Sequence, residues 1–251
     1  MSDYNQTYHS EIENSARQSA AVVIKVLHDM FKPNSVVDVG CGRGTWLQEW
    51  QQSGVKDFLG IDGGHQDKNK LLIPVQNFQE YDLNKPFQQD RRFDIATCFE
   101  VVEHLRPSSA DIIINTLTQL SDIIIFSAAI PNQGGFKHIN EQWPDYWAKK
   151  FESNGYVFTD GLRWKLLSNT QVSWWYRQNS FVAIRKDIYE KSFQHLPLFS
   201  PEFYVMHKMV YKVSTSFLQR VFFGLEQFLY NNFHSFYHKI LPTAKKLLNR
   251  P

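Results

Sequence analysis

Apolar positions follow two rhythms along the chain. Ala20, Val23, Ile24 and Leu27 recur at helical spacing and predict a helix from about Glu11 to Phe31, broken by the "KPN" that follows. Then come short β-branched or apolar runs separated by amphipathic stretches. "SVVDVG" reads as a buried strand, "TWLQEWQQSG" as a short helix ending at Gly54, and "KDFLGID" as a second strand. A polar loop, "GGHQDKNK", leads to a third strand near "FQEYDL". "RFDIATCFEVVEHL" gives a fourth strand and then a turn, and "SSADIIINTLTQLSD" an amphipathic helix with Ser and Asp at its start. "IIIFSAAI" is a fifth strand closed by Pro131, Pro144 to Asn154 a further helix, and "VSWWYRQNSFVAIRK" a hairpin or final strand pair. Strands alternating with helices on short connections predict an α/β fold with a mainly parallel sheet covered on both faces.

Composition narrows the class. The 251 residues are 43% hydrophobic, enough for a sizeable core, and the formal net charge of +2 gives no global nucleic-acid signature. Cys41 and Cys98 lack metal-ligand spacing and make no disulfide framework, so both are expected as buried thiols. The polar, acid-bearing start "MSDYNQTYHSEIENSARQ" lacks the apolar core of a signal peptide, and no run is apolar enough for a membrane span. The expected location is cytoplasmic.

Residues 203–251 differ from the rest. Lys208, Lys212, Arg220, Lys239, Lys245, Lys246 and Arg250 face only one acid, Glu226, amid Phe, Tyr, Leu and Val. The segment reads as amphipathic helices. Packing or homodimerisation ranks first as its role, peripheral contact with the inner face of the membrane second, and RNA contact last.

The chemistry concentrates around "VVDVGCGRGTWL". Gly40, Gly42 and Gly44 permit close backbone approach to a ligand. A dinucleotide loop would place its third glycine where Thr45 stands. Asp38, just ahead of the loop, suits a ligand bearing an ammonium and a sulfonium better than a pyrophosphate. Asp62 ends the next strand, where a carboxylate can accept from both ribose hydroxyls. Asp82 in "YDL" is placed to meet an adenine amino group.

With "EVVEHL" after the fourth strand, these motifs resemble the class I S-adenosylmethionine-dependent methyltransferases over residues 30–185. The resemblance implies a Rossmann-like fold with a mainly parallel seven-stranded sheet and a helical C-terminal appendage. Its expected divisions are a helical segment over 1–30, a cofactor-binding domain over 31–187 and a basic aromatic region over 188–251. It places Asp38, Gly40, Cys41, Gly42, Gly44, Asp62, Asp82, Leu83 and Glu100 around S-adenosyl-L-methionine.

For a hydroxyl acceptor a base must take a proton, and the candidates are His138 and His104. Either histidine can instead bond backbone and shape the pocket. A sharper alternative groups Glu100, Glu103, His104 and His138 as ligands of Mg2+ or Mn2+, as in the small-RNA terminal 2′-O-methyltransferases. Against it, Glu100 can contact the cofactor and Glu103 can cap a helix. "GGFKHINEQWPDYWAKKFESNGY" resembles bacterial methyltransferases of glycan or natural-product biosynthesis, which implies a small-molecule or glycan acceptor. Trp143, Trp147, Trp174, Trp175 and Tyr176 form either an aromatic wall for it or part of the core. Arg177, Gln178 and Asn179 bind substrate or cap a strand edge, and "NQGG" (132–135) reads as a lid with glycine hinges. The remaining alternatives are a metal-dependent RNA ribose methyltransferase and an inactive scaffold. The intact acids and glycines argue against decay.

Overall fold

The computed structural model describes residues 2–64 and 66–201, with side chains from residue 15 onward. The basic aromatic segment, with the helices and surface roles expected of it, lies outside the described residues. Helix α1 (Ser2–Phe31) starts earlier than its apolar stripe does.

A seven-stranded sheet follows. Its strands are β1 (Ser35–Val39), β2 (Asp57–Asp62), β3 (Phe78–Glu80), β4 (Ile95–Phe99), β5 (Ile123–Ser127), β6 (Tyr156–Thr159) and β7 (Phe181–Arg185). Their spatial order is β3-β2-β1-β4-β5-β7-β6. All neighbours are parallel except β7, which runs antiparallel to both β5 and β6. The expected Rossmann-like sheet is therefore present.

The two faces are buried separately. On one, α1, α2 (Thr45–Gln52), α5 (Gly161–Leu166) and α6 (Trp174–Asn179) cover Val36, Ile95, Ile125 and Val182. On the other, α3 (Ala110–Leu120) and α4 (Pro144–Ser153) cover Val37, Ala96, Ile124 and Ala183. Adjacent strand residues thus alternate between two apolar layers, which is why these strands read as nearly unbroken apolar runs. The first β-α turns deliver the ends of β1, β2 and β4 to one carboxyl edge, where ligands of such sheets sit.

One expected strand is a helix. "WWYRQN" folds as α6, and the strand pair is instead made by β6 and β7. Val172, Tyr176 and Asn179 are buried at intervals of four and three. That helical period is masked by side chains that individually favour strands. Among the described residues no helix is long and apolar enough to cross a membrane.

Candidate active site

The loop after β1 is built by its glycines. Gly40 sits at φ +83°, and a Cβ there would lie 2.3 Å from Val101 Cγ2. Only a residue without a side chain fits that turn and that approach. The Gly42 N–H donates to Asp62 Oδ2 at 2.6 Å, and the Gly63 N–H to Asp62 Oδ1 at 2.6 Å. Asp62 thereby ties the loop to the end of β2. Gly44 caps the start of α2.

Asp38 lies beneath this loop, 1% exposed. It faces Thr97 across the β1–β4 pairing, and the Thr97 hydroxyl donates to its Oδ1 at 2.6 Å. Its Oδ2 is buried without a partner. Burial pushes Asp38 up to about 7, partly offset by the Thr97 bond and reinforced by the nearby Asp62. Cys41 turns inward instead: a Cβ on Gly60 would meet its Sγ at 2.7 Å. Its side chain thus packs on the sheet, and only its backbone is available to a ligand.

A cavity of about 580 Å³ opens at the carboxyl edge, lined by Gly40, Asp62, Asp82, Leu83, Glu100 and Val101, with Phe136 and Lys137 from the loop after β5. This is ordinary ligand-pocket size. Asp82 is exposed, and its Oδ1 accepts from the Asn84 N–H and side-chain amide, which hold its carboxyl below the usual range.

Glu100 takes a left-handed backbone, φ +52°, with its N–H donating to the Ser127 carbonyl at 3.0 Å. Its Oε1 accepts from Ser127 Oγ at 2.8 Å and from Asn179 Nδ2 at 3.4 Å, and its Oε2 from Gln133 Nε2 at 3.0 Å. A non-glycine residue held this way costs about 1–3 kcal/mol and marks functional edges. Burial raises its carboxyl despite these donors.

The turn Val102–His104 puts Glu103 and His104 beside the returning loop, because the Glu103 carbonyl accepts from the Ile139 and Asn140 N–H groups. The rings of His104 and His138 meet edge to face at 4.9 Å. Loss of solvation and the charge of the neighbouring His138 pull His104 down to about 4. Glu103 is fully buried and neither carboxylate oxygen has a hydrogen-bond partner; burial raises its carboxyl well above the usual range. Donor atoms of Glu103, His104 and His138 lie within 4.8 Å of one another. Glu100, the fourth member of the expected set, does not join them. Its oxygens are taken by Ser127, Gln133 and Asn179.

A family model described as a methyltransferase domain matches residues 12–186. The chain belongs to that family. A search of curated proteins finds no match. The solved structures that share the methyltransferase's fold include the following three. Streptomyces venezuelae DesVI is 12% identical, with a TM-score of 0.52 over 72% of this chain and 96% of that one. The plantazolicin methyltransferase BpumL, in complex with a triazolic desmethyl analogue and S-adenosylhomocysteine, is 17% identical, with a TM-score of 0.52 over 73% and 92%. A SAM-dependent methyltransferase from Archaeoglobus fulgidus is 16% identical, with a TM-score of 0.51 over 72% and 99%.

Within this methyltransferase the aromatic residues left open by the sequence, as a ligand wall or as core, divide between the two environments. Trp147 is 1% exposed and packs on Phe126, while Tyr176 is buried against Trp46 and Phe99. Trp143 is exposed. Gln178 and Asn179 are buried in α6, where Asn179 serves Glu100 and Gln133. The sequence alone assigned no role to Thr97, Ser127 or Glu141. A His-x-x-Glu spacing, His138 to Glu141, is the one local signal that pointed to the last.

Proposed function

We propose that this methyltransferase uses S-adenosyl-L-methionine to methylate an oxygen of a small acceptor: a sugar, a glycan intermediate or a secondary metabolite. The observation that carries the donor assignment is the acidic, backbone-lined cavity at the carboxyl edge, with Asp38, two residues ahead of the lining Gly40, holding a buried oxygen that lacks a partner. That surrounding suits a ligand with two positive centres. When bound, the donor supplies a methyl carbon activated by its sulfonium.

The chain's own residues would do the rest. Asp62 accepts from the ribose, Asp82 and Leu83 flank the adenine, and the Gly40 backbone follows the methionine moiety. His104, which lines the cavity, or His138 packed edge-on against it receives the acceptor's proton. Phe136 and Lys137 line the cavity from the loop after β5, beside the space in which donor and acceptor would align.

The test is transfer of labelled methyl from S-adenosylmethionine into extracted small-molecule, glycolipid and RNA fractions. Label is expected in the first or second, and lost in Asp62→Ala. If the protein takes up neither the donor nor S-adenosylhomocysteine and Asp62→Ala changes nothing, the reading fails.

A second reading concerns metal. Glu103, His104 and His138 fit a divalent cation, because a carboxyl group with orphaned oxygens and two imidazoles converge. Mg2+ or Mn2+ held there would lower the acidity barrier of the acceptor hydroxyl. Activity lost in chelator and restored by either ion favours this reading; activity indifferent to chelator removes it.

A further inference from the structure

Glu141 is a carboxylate that the proposed chemistry leaves without a task. Its side chain is only 9% exposed, and that of His138 10%. Its Oε2 accepts from the Asn132 N–H at 2.9 Å. Its Oε1 accepts from the Gly134 N–H at 2.8 Å and from His138 Nδ1 at 2.9 Å. These partners span a loop in which Asn132, Gly134 and Lys137 take φ values of +69°, +72° and +61°. Backbone so contorted makes no regular ladder, and its N–H groups need a partner from elsewhere.

A carboxylate accepts and does not donate, so His138 Nδ1 must carry the proton. In the neutral ring Nε2 then bears the lone pair. On the Nε2 side the main chain comes close: a Cβ on Gly135 would lie 2.2 Å from that nitrogen. The imidazole is gripped between a carboxylate and a glycine of the same loop. Phe136 and Lys137, which wall the cavity, sit within that loop.

We propose that Glu141 is a positioning residue of the methyl-transfer site. It fixes the tautomer of His138 and, through Asn132 and Gly134, makes the shape of the cavity wall depend on the same carboxylate. The inference rests on the reading of His138 as an acceptor-side group.

The test uses the full chain labelled with 15N-histidine, without ligand and with S-adenosylhomocysteine. The His138 signals are assigned by their loss in His138→Gln. In the neutral ring, wild type is expected to show a protonated Nδ1 and an unprotonated Nε2. Glu141→Leu should scramble that tautomer and raise tryptic cleavage after Lys137 by about tenfold or more. Glu141→Gln keeps one acceptor oxygen, so it should retain the tautomer while cleavage still rises. An Nε2–H tautomer in wild type overturns the proposal, as does cleavage unchanged in both variants. Because the tautomer is read without ligand, failure to bind S-adenosylhomocysteine sinks the methyltransferase chemistry alone, and the role of Glu141 in holding His138 still stands or falls on the tautomer.

Discussion

Thr97 and Asp38 face each other on paired strands, and the threonine hydroxyl occupies one carboxylate oxygen while the other stays buried and alone. Thr97→Val deletes the donor at nearly constant volume. It should destabilise the protein by about 1–3 kcal/mol, because the lost partner leaves a second buried acceptor unpaired. Urea unfolding at pH 7 measures this; an unchanged midpoint would show that the pair contributes nothing.

Asp38 should also shape the pH profile. Its carboxyl rises from 3.8 unfolded to about 7 folded, chiefly through burial. The folded state therefore holds this proton more tightly than the unfolded chain does. The resulting stability is complete below the unfolded value and disappears as pH climbs through 7. Between pH 5.5 and 8, wild type should lose on the order of 2 kcal/mol more than Asp38→Asn does. Parallel urea midpoints for the two proteins at these pH values would contradict the shift.

Gly40→Ala combines a left-handed backbone with a Cβ 2.3 Å from Val101. Calorimetry should show affinity for S-adenosylhomocysteine reduced by about tenfold or more, in line with the usual cost of such strain. Adding Val101→Ala should recover only part, since it relieves the collision and leaves the dihedral strained. Full recovery in the double variant would mean that backbone geometry is irrelevant.

Glu103→Gln separates a cation site from a merely buried acid. Without metal, the variant should melt at the same temperature as wild type or higher at pH 8, because ionising a raised carboxyl costs stability there. If Mn2+ binds, it should raise the melting temperature of wild type and not of the variant. An equal response in both discards Glu103 as a ligand.

Much of this site could be read from the chain alone because its signals are local. The Asp38-to-Gly44 run, Asp62 and Asp82 each end or follow a strand, so spacing along the sequence maps directly onto the carboxyl edge. The parts that escaped depend on segments returning from afar. Gln133 and Asn179 reach Glu100 from a loop and a helix 33 and 79 residues away. Nothing in the local pattern of either announces that meeting. Trp147 stayed open between ligand wall and core because residue type does not reveal which face of α4 meets the sheet. The strand preference of "WWYRQN" was overridden by burial at helical spacing, as tertiary packing commonly overrides weak propensity.

The position of β7 between β5 and β6 carries a consequence for biosynthesis. As the chain leaves the ribosome, β5 emerges with one flank unclaimed and keeps it until Arg185 has been made. A long stretch of nascent polypeptide thus separates an apolar template from its permanent neighbour, an interval in which copies on adjacent ribosomes can pair wrongly. A product terminated before Phe181 would leave that flank open for good and should collect in inclusion bodies.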